Sequence, residues 1–216
     1  MSEEVAVVPR ALVEQCFPGQ FPGFMRWTGD TQQAAGFKRV IDNIVFMSRE
    51  RAETNENWLQ TIPYLLLWDP DRYLMATYFR SKKSGEERLR RKASVGFGGH
   101  MNERDFWAGP QAAFYLAAFR ELHEELSFDP PLMVTGPQMH LHGLIALDET
   151  VVDRVHLGFV IQVDVTSKIS ANDDEVEWLE WKRLNGALLE LDNLEKWSYH
   201  VIKEALENRI GSLISE

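Results

Sequence analysis

The chain has very little cysteine, no long apolar run and too few basic residues to balance its acidic ones. Its 216 residues include one cysteine, Cys16, so no disulfide can form within the chain and a cytoplasmic location is expected. The strongest apolar runs, 64–68 and 157–161, are far shorter than the roughly 20 residues that a membrane-spanning helix needs. Residues 1–5 are acidic, whereas a secretory signal begins with basic residues. The sequence therefore predicts neither a membrane span nor secretion.

The charge balance argues against a nucleic-acid duplex as a partner. Lys and Arg total 23 and Asp and Glu total 33, which gives a net charge of −10 at pH 7. A net anion is poorly suited to displacing counterions from a phosphate backbone. An acidic protein that handles phosphates therefore needs a bound metal or a local basic patch.

The length suits one globular domain with its own core and an appended segment. Pro and Gly punctuate 17–24, which predicts irregular coil. We expect residues 1–60 to form an N-terminal extension that packs on a domain formed by 61–216, and no catalytic chemistry is expected within the extension.

Beyond residue 60 the apolar pattern predicts a mixed sheet with helices on its faces, the α/β class. The run 62–69, the turn signal Asp69-Pro-Asp71 and the run 72–80 predict a β-hairpin. Pro110 fits the first position of a helix over 110–126. The other predicted elements are strands at 93–97, 139–147, 155–165 and 176–181 and a helix at 194–208.

Three glutamates crowd the last turns of the helix predicted at 110–126. Glu121, Glu124 and Glu125 stand at i, i+3 and i+4, where like charges repel and where the helix dipole also disfavours anions. A divalent cation would remove this conflict, and oxygen ligands suit Mg²⁺ or Mn²⁺. The alternative is a solvated acidic face, relieved in part by an Arg120–Glu124 pair. The roughly opposite arc of the helix carries Tyr115, Phe119, Leu122 and Leu126.

The segment around these glutamates resembles the Nudix box, the signature of the Nudix hydrolase family. The signature reads G-x5-E-x7-R-E-U-x-E-E-x-G-U, where U is a bulky apolar residue. A short strand that ends in Gly98-Gly99 precedes the helix, and residues 120–128 read Arg-Glu-Leu-His-Glu-Glu-Leu-Ser-Phe. This stretch matches the second half of the box except that Ser127 replaces glycine. The resemblance implies a Nudix-type α/β/α sandwich around a mixed β-sheet.

The first half of the box departs from the family pattern. Arg120 lies 21 positions after Gly99, where the pattern has 14. The first glutamate of the box falls on Asp105 when counted forward from Gly99 and on Ala112 when counted back from Arg120. Glu103 is also nearby, and the sequence leaves open which of these acids, if any, takes the role.

The resemblance implies hydrolysis of the pyrophosphate bond in a nucleoside diphosphate linked to another moiety, with Mg²⁺ or Mn²⁺ as the cofactor. The implied partner is thus a small molecule. By position in the box, the implied metal ligands are the Gly98 carbonyl and the carboxylates of Glu121, Glu124 and Glu125.

The remaining expected site residues come from the box, from the residues beside its first glycine and from a later acidic segment. Glu125, Glu175 and Glu177, in falling order of preference, are candidates for the general base, and Glu124 is a further catalytic candidate. Gly99 and His100 are expected to bind substrate, and the expected role of Arg120 is to orient a carboxylate.

Two other functions compete with this one. A non-catalytic nucleotide-sensing domain with a degenerate box is compatible with the insertion. An isopentenyl-diphosphate isomerase of the same fold needs a reactive cysteine, and Cys16 lies outside the box region. A homodimer is expected only because dimers are the commonest assembly of soluble proteins.

Overall fold

The computed structural model describes residues 3–80, 92–132, 138–172 and 176–208. Its strands are β1 Glu4–Pro9, β2 Gly23–Arg26, β3 Val45–Ser48, β4 Trp58–Asp69, β5 Leu74–Arg80, β6 Ala93–Ser94, β7 Gly96–Phe97, β8 Leu126–Asp129, β9 Met139–Ala146, β10 His156–Asp164, β11 Lys168–Ala171 and β12 Val176–Arg183. Its α-helices are α1 Arg10–Cys16, α2 Thr31–Asp42, α3 Arg49–Ala52, α4 Pro110–Glu125 and α5 Lys196–Asn208. Short 3-10 helices lie at Glu103–Phe106, Asp153–Val155 and Gly186–Glu190.

The α/β class predicted from the sequence is confirmed. Among the described residues, ten strands form one sheet, in the order β12-β5-β4-β10-β9-β2 with β1, β3, β6 and β7 pairing beside this path, and β8 pairs with β11 separately. The predicted hairpin is β4 and β5, which pair antiparallel at Trp68↔Met75 and Asp69↔Leu74. Within the described ranges, no helix has the length and apolar character that a membrane crossing requires.

The chain divides into two compact units, and the first consists of Met1–Tyr64, Gly98–Ala118 and Leu141–Val160. In this unit β1 pairs antiparallel with β3 and with the start of β4, and β2 pairs with β9. The amide of Ala6 donates to the Met101 carbonyl (2.8 Å), and the amide of Met101 donates to the Thr61 carbonyl (3.1 Å). The N-terminal strand thus holds the segment that follows Gly99.

The second unit consists of Leu65–Phe97, Phe119–His140 and Ile161–Glu216. Here β5 pairs antiparallel with β12, β4 and β6, and β4 also pairs with β7. The rings of Tyr78 and Phe97 stack with centroids 4.4 Å apart, and the Tyr78 hydroxyl donates to the Gly96 carbonyl at 2.8 Å. These contacts fix the short strands that lead into the glycine segment.

Helix α5 holds the same strands through a buried polar cluster. The hydroxyls of Ser94 and Ser198 donate to Glu195 Oε2 at 2.6 and 3.2 Å, and the amide of Val95 donates to the Ser198 hydroxyl at 3.1 Å. All three polar side chains belong to buried residues. Because a buried carboxylate needs hydrogen-bond donors, this cluster specifies how α5 packs on β6 and β7.

Candidate functional site

The predicted metal-binding glutamates lie at the end of α4, and Arg120 joins two of them. Arg120 Nη1 lies 2.6 Å from Glu121 Oε1 and 3.3 Å from Glu124 Oε2. The side chain of Glu121 is 11% exposed and that of Glu124 is 61% exposed, while Glu125 is half-buried. The guanidinium therefore relieves part of the charge repulsion and fixes the Glu121 carboxylate, as expected for an orienting residue.

The C-terminal end of α4 is capped by Asn172 rather than by glycine. The amide of Asn172 donates to the Glu125 carbonyl at 2.8 Å, and its side-chain Nδ2 donates to the His123 carbonyl at 3.0 Å. Ser127, which replaces the box glycine, lies in β8 and hydrogen-bonds to the Asn172 side chain. Because the chain continues as a strand, serine is accommodated there without a left-handed backbone.

The packing face of α4 differs from the arc of large apolar residues seen in the sequence. Leu122 and Leu126 are buried, but Tyr115 and Phe119 are 49% and 40% exposed. The other buried apolar residues of the helix are Ala113, Phe114, Ala117 and Ala118. Small residues allow close approach of neighbouring elements, so the alanines mark the buried face that the large side chains do not.

Gly98 occupies a position that only glycine can fill. Its φ is +139°, and a Cβ built there would lie 1.9 Å from the Pro63 carbonyl oxygen. Both the backbone conformation and the lack of space exclude a side chain. Gly99, the next residue, is half-buried.

The two acids near the first half of the box, Glu103 and Asp105, lie in a short 3-10 helix. Asp105 is 3% exposed, and its Oδ2 accepts from the backbone amide of Asn102 at 2.9 Å. Asn102 in turn caps the 3-10 helix Glu103–Phe106 by accepting from the Arg104 amide at 3.0 Å. Glu103 is exposed in the first turn of that helix. Asp105 thus serves this capping box.

The structure says less about Glu175 and Glu177, the two later candidates for the general base. Glu175 lies outside the described residues. Glu177 lies in β12, where the register with β5 shifts between Val176 and Trp178. Its assignment as a base stays a prediction.

His100, predicted to bind substrate, contacts a histidine that the sequence analysis did not single out. Its Nε2 lies 3.1 Å from Nε2 of His156, and His156 Nδ1 lies 2.7 Å from the Val152 carbonyl oxygen. Burial lowers the pKa of His100 well below its ordinary value, and the nearby His156 and Arg49 lower it further. The ring is therefore neutral at pH 7.

Glu53 completes a group with these two histidines. One ligand atom from each of Glu53, His100 and His156 lies within 4.8 Å of the others. No short-range signal in the sequence links them, because they stand far apart in the chain, after α3, after Gly99 and at the start of β10, and meet only through the tertiary fold.

The α4 cluster supplies hard, anionic oxygen atoms on one helix, and such a donor set fits Mg²⁺ or Mn²⁺. Its three carboxylates and single guanidinium leave a net negative charge, which a phosphate-bearing ligand would meet favourably only with a cation between them.

Known proteins resemble the chain over almost its whole length. No family model matches the chain. It is 31% identical over 209 residues to Protein YmaB of Bacillus subtilis strain 168, and the alignment covers 94% of this chain and 97% of that protein. It is also similar to the crystal structure of Tm1382, a putative Nudix hydrolase, with 25% identity, a TM-score of 0.67 and coverage of 97% of this chain and 100% of that one. A NUDIX hydrolase from Alicyclobacillus acidocaldarius, 12% identical, shares the fold with a TM-score of 0.51 over 72% of this chain and 96% of that one.

Proposed function

The chain belongs to the Nudix hydrolase family, and from that premise we propose that it hydrolyses the pyrophosphate bond of a nucleoside diphosphate linked to another moiety, with Mg²⁺ or Mn²⁺ as cofactor. The main support for the proposal comes from the end of α4. There the box residues Arg120, Glu121 and Glu124 form one hydrogen-bonded cluster. The resemblance alone would allow a decayed box, whereas this cluster retains the acids and their orienting arginine.

In this proposal the carboxylates of Glu121, Glu124 and Glu125 hold the metal, and the family resemblance adds the carbonyl of Gly98. When bound, the ion would offset the charge of the pyrophosphate and lower the pKa of a water. Arg120 keeps Glu121 oriented through the 2.6 Å contact. The backbone at Gly99 offers a close approach to a phosphate group, because glycine has no side chain.

The proton and bond changes follow from hydrolysis. The oxygen of a water forms a new bond to one phosphorus, and the bond from that phosphorus to the bridging oxygen breaks. Glu125 accepts the proton of the attacking water, and the bridging oxygen leaves with the other phosphate. Glu177 is the second candidate for the base.

A panel of substrates tests the proposal. Wild-type protein with Mg²⁺ is expected to cleave at least one of nucleotide sugars, ADP-ribose, dinucleotide polyphosphates and nucleoside triphosphates, measured as phosphate after treatment of the products with a phosphatase. Substrates that the phosphatase itself attacks are followed by chromatography. Glu125→Gln is expected to lower turnover at least about 100-fold with little change in stability, as for a group that acts in the transition state.

The matched control is Glu207→Gln, which changes an exposed glutamate on α5 that is ion-paired with Lys203. It should leave turnover unchanged. An unchanged rate in Glu125→Gln would remove that residue from the site.

The second candidate is a nucleotide-sensing domain, which the insertion in the first half of the box and the capping role of Asp105 favour. Tight binding of one panel member without turnover would support the sensor over the enzyme. We also propose a cytoplasmic homodimer, which light scattering after size-exclusion chromatography would check.

A further inference from the structure

Two imidazoles and a carboxylate meet in the first unit, and none of the three residues belongs to the glutamate cluster of α4. Glu53 directly follows α3, His100 follows Gly99, and His156 begins β10. Their ligand atoms all lie within 4.8 Å of one another. The box resemblance gives no role to Glu53 or His156, so the proposed hydrolysis does not explain why these groups converge.

The hydrogen bond on the far side of His156 fixes how its ring faces His100. A carbonyl oxygen only accepts, so the 2.7 Å contact with the Val152 carbonyl places the proton on His156 Nδ1. In the neutral ring, Nε2 then carries a lone pair directed at His100. A histidine that donates its other ring proton to a backbone carbonyl is the arrangement that orients metal-binding imidazoles.

The separation of the two ring nitrogens suits a shared ion. Two nitrogens bound at about 2.0–2.1 Å are about 3.3 Å apart at a tetrahedral angle and about 2.9 Å apart at a right angle. The observed separation of 3.1 Å lies between these values. Two lone pairs at this distance would repel, so either a ring proton or a cation must lie between them.

The carboxylate can join the same ion with a small movement. Glu53 Oε1 is 3.5 Å from Arg49 Nε, the outer limit of a hydrogen bond, and Arg49 Nη1 is held at 3.0 Å by Glu3 Oε2. Two carboxylates face this single guanidinium, so the local charge stays negative. A carboxylate oxygen of Glu53 lies within 4.8 Å of the ring nitrogens of His100 and His156. Because the glutamate side chain is flexible, this oxygen needs to approach the nitrogens by at most about 1.5 Å to reach the spacing of tetrahedral ligands.

We propose that Glu53, His100 and His156 form a second metal site, which takes a divalent transition-metal ion such as Zn²⁺. Two imidazoles and one carboxylate are the donor set of many zinc and non-haem iron sites, and they are softer than the all-oxygen set of α4. The ion would tie α3 to the segment after Gly99 and to β10. Three protein ligands would leave at least one coordination position for water. For His100, this role replaces the substrate contact expected from the sequence.

Calorimetry on the full chain, stripped of metal with a chelator and titrated with Zn²⁺ in excess Mg²⁺, tests the site. The wild type is expected to bind one equivalent. Glu53→Gln and His156→Gln are expected to weaken binding at least about 10- to 100-fold. Thermal unfolding in the presence of chelator shows whether each variant is folded.

Two controls locate the binding. His140→Gln removes a histidine of β9 that pairs with Asp164 at 3.3 Å, and Glu125→Gln alters the α4 cluster. Both should bind Zn²⁺ like the wild type. If Glu125→Gln abolishes hydrolysis but not Zn²⁺ uptake, the two sites are separate.

Nitrogen-15 NMR of the wild-type histidines gives a second readout that needs no variant. Zn²⁺ should shift Nε2 of both His100 and His156 while Nδ1 of His156 keeps its proton. No saturable uptake, equal affinity in Glu53→Gln and His156→Gln, or an Nε2 proton that persists between the rings would overturn the proposal and leave a hydrogen-bonded histidine pair.

Discussion

At the scale of single residues, Gly98 shows most clearly how backbone geometry dictates amino-acid identity. Its positive φ and the nearby Pro63 carbonyl each exclude a Cβ. The Nudix resemblance predicts that the Gly98 carbonyl binds the metal, and the closeness of the Pro63 carbonyl gives a separate, structural reason for glycine at this position. A glycine can serve both purposes, because its carbonyl is not involved in the steric restriction.

Gly98→Ala is expected to lower the free energy of unfolding by at least about 2 kcal/mol, because the new methyl group must displace the backbone of β4. Urea unfolding measures this. The matched control is Gly186→Ala, where a Cβ would meet nothing within 4 Å and φ is not left-handed. It should change stability by no more than about 0.5 kcal/mol. Equal stabilities for the two variants would show that the segment after β7 is not held as described.

At the scale of elements, the local sequence pattern predicts where a helix or strand lies, whereas tertiary packing decides which of its faces is buried. The hairpin of β4 and β5 and the length of α4 were predictable, because turn residues, proline and periodicity act over a few neighbours. The buried face of α4 was not predictable from its large apolar residues. Tyr115 and Phe119 are exposed while Ala117 and Ala118 are buried, and the choice between such faces is made by the elements that pack on the helix.

The packing of α5 on β6 and β7 gives a prediction at the scale of elements. Ser198→Ala removes a donor to the Glu195 carboxylate and an acceptor for the Val95 amide. We expect a loss of about 1–3 kcal/mol in unfolding free energy, because both groups are buried. Ser170→Ala, on an exposed position of β11, is the control and should be near neutral. A neutral Ser198→Ala in thermal and urea unfolding would show that the cluster does not hold these strands.

At the scale of the whole molecule, the fold class and the second half of the box were predictable, but the composition of the compact units was not. The expected boundary at residue 60 stays a prediction. Residues 1–64 share a unit with two later segments, and β1 pairs with residues after Gly99 through Ala6 and Met101. Such long-range pairings leave no periodic trace in the sequence.

The same reason explains the missed residues of the candidate sites. Glu53 lies in the segment where no chemistry was expected, and His156 begins a strand that looked only apolar. By contrast, Glu121, Glu124 and Glu125 share one helix, so their spacing and the match to the Nudix box together singled them out as candidate ligands. Candidate site residues that share one helix can be found from their spacing in the sequence. Residues that only the tertiary fold brings together can be found only in the structure.

In the proposed hydrolysis, the glutamates of α4 bind a divalent cation. The most direct measurement is calorimetric titration of the full chain with Mg²⁺ in the presence of a non-hydrolysable nucleoside diphosphate derivative. Wild type and Glu53→Gln should bind Mg²⁺ at millimolar concentrations or below, and Glu121→Gln and Glu125→Gln should bind it at least about 10-fold more weakly. No Mg²⁺ uptake by the wild type, or equal uptake by the two α4 variants, would contradict the account.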